Sequence, residues 1–113
     1  MKAEKHLEKA KRIEESIRKL NPEKEWELIV EGAYGCAINY IAYITETKIR
    51  EHRDMHKGLA RFLDEKGFNK LAMLFRELEI YRQGRWYGNK GNGEVSQRVL
   101  DILDKIKELG GIW

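Results

Sequence analysis

Between Trp26 and Ile44 the apolar residues Trp26, Ile29, Val30, Ala33, Ala37, Tyr40, Ile41 and Ile44 recur at the three- and four-residue steps of a helix. They cover more than one stripe of that helix. A helix of this kind needs neighbours on several sides, so it is expected to be the central, most buried element. Gly32 and Gly35 lie inside it, each costing about 1 kcal/mol against Ala, which implies a close approach by another backbone. The small residues Gly32, Gly35, Cys36 and Asn39 leave a shallow groove for that approach, by a helix of the same chain or by a second subunit.

The neighbours are legible on either side. Ala3, Leu7, Ala10, Ile13, Ile17 and Leu20 form one apolar stripe over residues 3–20, with Lys, Arg and Glu on the remaining faces. Asn21-Pro22-Glu23 supplies a capping side chain, a ring suited to a first helical position and an acid for the positive helix end, so the central helix is expected to begin there. From Thr45 to Asp54 the pattern lapses and the helix is expected to end, bend or fray, with Asp54 capping the next helix. Met55, Leu59, Phe62 and Leu63 make a short third helix stopped at Gly67, and Leu71, Leu74, Phe75, Leu78 and Tyr81 a fourth stopped near Gly84. A loop over 88–93 precedes a last helix carrying Val95, Val99, Ile102, Leu103, Ile106 and Leu109, which ends at Gly110-Gly111. The fold class is therefore all-α, a five-helix up-and-down bundle. No strand-like alternation or internal repeat competes with it.

With 113 residues, 36% charged and 42% hydrophobic, the chain is expected to be one domain over 1–113. At this size roughly two thirds of the unfolded chain's surface is buried on folding, enough for a core without staples. A single cysteine forms no internal bridge, so a cytoplasmic location is expected. No apolar run approaches the roughly 20 residues of a membrane span, and the Lys/Glu-rich start is unlike a signal peptide. The charge of +3, from 22 basic and 19 acidic residues, is too balanced to announce a nucleic-acid binder by itself.

The residues with most chemical potential lie between Thr45 and Lys57. His52 and His56, at i and i+4, share a helical face and are metal-ligand types, with Glu51 and Asp54 the nearest acids. No Cys pair or His-Glu-x-x-His pattern completes a ligand set, so neither a metal site nor a cofactor is expected. Alternatively, Arg50 and His56 serve as phosphate clamp and proton-transfer group of a phosphodiester-cleaving site, assisted by His52 and Arg53. In one unbroken helix residues six apart diverge by about 120°, so this needs a break just past Arg50. If Asp54 caps the third helix, His56 stands in its first turn, where the dipole disfavours imidazolium. The plainer alternative is a solvated, charged corner.

The order of these features resembles a HEPN domain, the helical family named for nucleotide binding in higher eukaryotes and prokaryotes. The likeness runs over most of the chain. It rests on the first amphipathic helix, the long second helix opening near Trp26, His56 before Leu59, Phe62 and Leu63, and Arg85-Trp86-Tyr87-Gly88 after the fourth helix. Many members carry an Arg, four to six residues, then His, and Arg50 and His56 match that spacing. The chain departs from the pattern at Glu51, where Asn, Asp or His is usual, and at Gly58, where some toxins have Tyr. The resemblance implies RNA or nucleotide binding, with a metal-independent ribonuclease of toxin–antitoxin type as the enzymatic form. It also implies a homodimer with the Arg/His segments meeting across a two-fold, and a nucleotidyltransferase as partner. A noncatalytic interaction module or dimeric scaffold is the rival expectation. A further alternative is a scaffold whose Lys and Glu content serves heat stability.

A second basic surface comprises Arg76, Arg82, Arg85 and Lys90 with Trp86 and Tyr87, able to hold phosphate and stack a base, or else to pin a loop to the core. The stretch 88–93 is not a phosphate-cradling loop, since it lacks a Gly-Lys-Ser/Thr ending. Cys36 is expected to act as a small hydrophobe and His6 to face solvent. Trp113 either trails in solvent or meets a second subunit.

Overall fold

The structure, a computed structural model, describes residues 2–53, 56–84 and 91–113. Helix α2, Trp26–Ile49, runs through the centre and packs against α1 (Ala3–Ile17), α4 (Asn69–Arg82) and α5 (Asn92–Leu109). The short α3, Leu59–Glu65, lies on α4, which also packs on α5. Among the described residues these five helices are the only regular elements, an all-α bundle. Ile29, Tyr40, Ile41 and Ile44 of α2 join Leu63, Phe75, Leu78, Ile102, Leu103 and Ile106 in one buried cluster. Each such side chain contributes about 1.5–3 kcal/mol on leaving water, more than any surface ion pair, so α2 is the element the fold cannot lose. No helix among the described residues is long and apolar enough to cross a membrane.

Helix α1 buries the face its aliphatic residues mark, with two polar side chains set into that face. His6, Ala10, Glu14 and Ile17 are its buried positions, while Leu7 and Ile13 are only partly covered. The expectation that His6 faces solvent is overturned: it is 1% exposed, and its Nδ1 lies 2.8 Å from Asn39 Oδ1 of α2. The physical reason is that α2 offers polar acceptors and donors, Asn39 and Tyr40, along this seam. Glu14 is buried beside them, accepting bonds from Tyr40 Oη, Arg18 and Lys107. The seam also explains Gly32, where a Cβ would run into the branched methyl of Ile17. The close approach is thus made by α1 of the same chain. At Gly35 a Cβ would meet nothing.

Helix ends track the glycines closely and depart from expectation elsewhere. Gly67 (φ 86°) closes α3 with paired bonds, Phe68 N–H to Leu63 O and Gly67 N–H to Asp64 O, and Gly111 (φ 67°) closes α5 in the same way through Ile112 and Lys107. Helix α2 begins at Trp26, four residues after Pro22. Asn21 Oδ1 does accept from the Glu23 and Lys24 amides, but it caps a single turn. That turn is tied to α5, because Ser96 Oγ donates to the Pro22 carbonyl at 2.8 Å, an acceptor that a continuous helix would use. Helix α1 stops at Ile17, short of Leu20. Helix α5 starts at Asn92, so Asn92 and Gly93 belong to the helix and not to the expected loop. Asp54 as a cap and Met55 as a member of α3 lie outside the described residues.

Candidate functional site

The break expected just past Arg50 is present. Arg50 is the C-cap of α2, with φ 57° and ψ 29°, and it is the one non-glycine residue with positive φ among those described. Its amide still donates to Glu46 O at 3.0 Å, so the last turn closes before the chain swings away. An L-residue in the left-handed region costs on the order of 1 kcal/mol, a cost the neighbouring contacts must offset.

Two of those contacts come from the next two residues. His52 Nδ1 lies 2.7 Å from Glu46 Oε2, and its ring stands edge-on to His6 with centroids 4.9 Å apart. Glu51 accepts from Lys66 Nζ at 2.8 Å. The Arg53 guanidinium then sits 5.4 Å over the Phe62 ring of α3. Together these residues edge an open hollow of about 590 Å³, lined by Arg50, His52, Arg53 and Lys66, with Glu46, Glu51 and Glu65 as its acids. A second hollow of about 430 Å³ shares Arg53, Phe62 and Glu65 with it and adds Lys57, Gly58 and Arg61.

Ion pairing separates these cations. Lys66 is paired with Glu51 and Arg61 with Glu65, leaving Arg50, Arg53 and Lys57 with no carboxylate within ion-pair distance among the described residues. Spacing in the sequence does not single out Lys57 or Arg61. The left-handed Gly58 between them turns the chain into α3, and both then line the hollow beside Phe62.

His56 stands elsewhere. It does not line the Arg50 hollow; its ring lies 6.1 Å from Tyr34, well back along α2. It precedes α3 instead of sitting in the first turn, since Gly58, at φ 77°, is the N-cap and His56 O accepts only the Leu59 amide at 3.2 Å. Within one chain, Arg50, His52 and Arg53 are brought together and His56 is not brought to them.

Of the second basic surface, Arg82 donates to both Glu31 oxygens, at 2.9 and 3.2 Å, with its guanidinium 4.4 Å over the Tyr34 ring. Burial, with Glu79 nearby, pushes the Tyr34 hydroxyl up to about 12, so it is a neutral donor at any physiological pH. Arg76 pairs with Asp64 at 2.6 Å. Both arginines are thus committed to cross-links, and Arg85, Trp86, Tyr87 and Lys90 lie outside the described residues. Cys36 is fully buried, its thiol against the Ala10 carbonyl, and burial pushes its pKa far up, which fits a small core residue and not a nucleophile. Among the described residues no three His, Cys, Asp or Glu side chains cluster closely enough to hold a metal ion.

Comparison with protein-family models, with curated proteins and with solved structures finds no match to this chain in any of the three.

Proposed function

We propose that the chain is an RNA- or nucleotide-binding helical protein of HEPN-like kind, acting in the cytoplasm as a homodimer, with phosphate held at the corner where α2 ends. The observation that carries this reading is the set of three cations, Arg50, Arg53 and Lys57, on one edge around Phe62, with no carboxylate within ion-pair distance among the described residues. Cations without internal partners keep their full attraction for a polyanion, whereas in paired ones it is already satisfied. The left-handed turn at Arg50 supports the reading further, because it directs the following segment away from the helix axis.

The enzymatic form is metal-independent cleavage. His56 takes the proton from a ribose 2′-hydroxyl, the 2′-oxygen attacks phosphorus, and the P–O5′ bond breaks, the 5′-oxygen leaving as a hydroxyl with a proton from water, giving a 2′,3′-cyclic phosphate while Arg50 neutralises the crowded phosphoryl oxygens. Since His56 and Arg50 line different surfaces of one chain, this form requires the second copy to supply the missing partner. The same separation favours a second reading, a noncatalytic module that binds a nucleotidyltransferase-like protein. Incubation of RNA with the protein and excess chelator discriminates between them: cyclic-phosphate ends that disappear with His56→Ala support the nuclease, and intact RNA at high protein supports the module.

A further inference from the structure

A groove with apolar side chains along it lies between α4 and α5 and reaches Lys48 at the end of α2. Two hollows of about 420 and 400 Å³ adjoin there, sharing Lys70 and Leu109. The floor is formed by Phe68, Leu74 and Leu109, with Met73 beside them, 63% exposed. Three lysines stand around it: Lys48 at the end of α2, Lys70 at the start of α4, and Lys105 on α5. None has a carboxylate within ion-pair distance among the described residues; Lys48 has only a long bond to the Leu109 carbonyl, at 3.4 Å. Glu108 is the single acid on the lining.

We infer that this groove docks an acidic amphipathic helix of a partner protein, its apolar side chains over Met73, Leu74 and Leu109 and its carboxylates against Lys48, Lys70 and Lys105. The charge pattern selects the occupant. A neutral apolar segment leaves the three ammonium groups without counterparts, and a basic one is repelled. Nucleic acid meets the lysines but leaves the exposed thioether and leucine floor uncovered. A flexible Met at the centre suits a helix-in-groove contact, because its unbranched side chain adapts to the residue above it.

The test uses two fluorescein-labelled synthetic helical peptides about four turns long, with Leu and Phe at i, i+3, i+4 and i+7. One carries Glu at the other positions and the other carries Lys. The expected result is micromolar binding of the Glu peptide alone, weakened at least about tenfold by Lys70→Glu with Lys105→Glu, and the appearance of Lys-peptide binding in that charge-reversed protein. Both lysines are exposed, so circular dichroism should show an unchanged helical fold. Met73→Ser should weaken the Glu peptide with the lysines intact. Equal binding of both peptides, no binding up to the solubility limit, or reversal that weakens oligouridylate as much as the Glu peptide each overturns the proposal. So does concentration-dependent self-association abolished by Met73→Ser, which would assign the groove to a second copy.

Discussion

His6 of α1 and Asn39 of α2 are joined inside the apolar core by a hydrogen bond of 2.8 Å between Nδ1 and Oδ1. The Asn39 amide nitrogen donates to the Gly35 carbonyl at 2.9 Å, which leaves its oxygen as acceptor and makes His6 Nδ1 the donor. His6 Nε2 then has no partner among the described residues. Removing Asn39 strands a second buried polar atom. Asn39→Leu is expected to destabilise by about 1–3 kcal/mol, and His6→Leu with Asn39→Leu by less than the sum of the single changes. Urea unfolding of the four proteins of that cycle measures the coupling.

Glu14 links three helices through Tyr40, Arg18 and Lys107. Burial opposes its charge, but these donors outweigh burial and hold its pKa below the ordinary 4.5. A carboxylate depressed in the fold contributes stability that is complete above its unfolded pKa and is lost as pH falls through the folded value. Acid unfolding below pH 4.5 should therefore be less steep in Glu14→Gln, which is also expected to lose about 2 kcal/mol at neutral pH. A matched series of thermal melts from pH 7 to 3 shows both effects.

The two central glycines should respond with opposite sign. Gly32→Ala gains helix propensity but drives a methyl into Ile17, whose β-branched side chain has little room to yield, for a net loss of about 1 kcal/mol. Gly35→Ala meets open space and should gain up to about 1 kcal/mol. Denaturant midpoints of the two variants give the comparison directly.

Arg50 separates structure from binding. Its left-handed backbone suits glycine, so Arg50→Gly is expected to hold or raise the melting temperature while removing the proposed phosphate contact. Arg50→Ala keeps the strain and loses the same contact, so it should melt lower than Arg50→Gly. Calorimetry of the pair isolates the backbone cost.

How much was legible in the sequence varies along the chain. The five helices come from three- and four-residue apolar spacing and the ends of α3, α4 and α5 from the glycines that follow them, both local properties. Helix α1 shows what spacing leaves out: it marks the buried face through Ala10 and Ile17, but His6 and Glu14 lie on that face too, and only their partners Asn39, Tyr40 and Lys107, distant in sequence, make those positions interior. The start of α2 fails for a similar reason, because Ser96 claims the Pro22 carbonyl from 74 residues away. At the candidate site the turn at Arg50 is foreshadowed by the lapse after Thr45. The placement of His56 beside Tyr34 is not, since it depends on how α3 is carried back along the bundle.

The most direct test of the proposal that phosphate binds at the Arg50 corner is a fluorescence-anisotropy titration of labelled oligouridylate at several salt concentrations. With Arg50, Arg53 and Lys57 each meeting a phosphate, the slope of log K against log salt should be about −2, falling by about 0.7 with Arg50→Gly and by the same again with Lys57→Ala, in proteins that melt no lower than the parent. Binding that is absent at low salt, or a slope indifferent to both substitutions, contradicts the assignment.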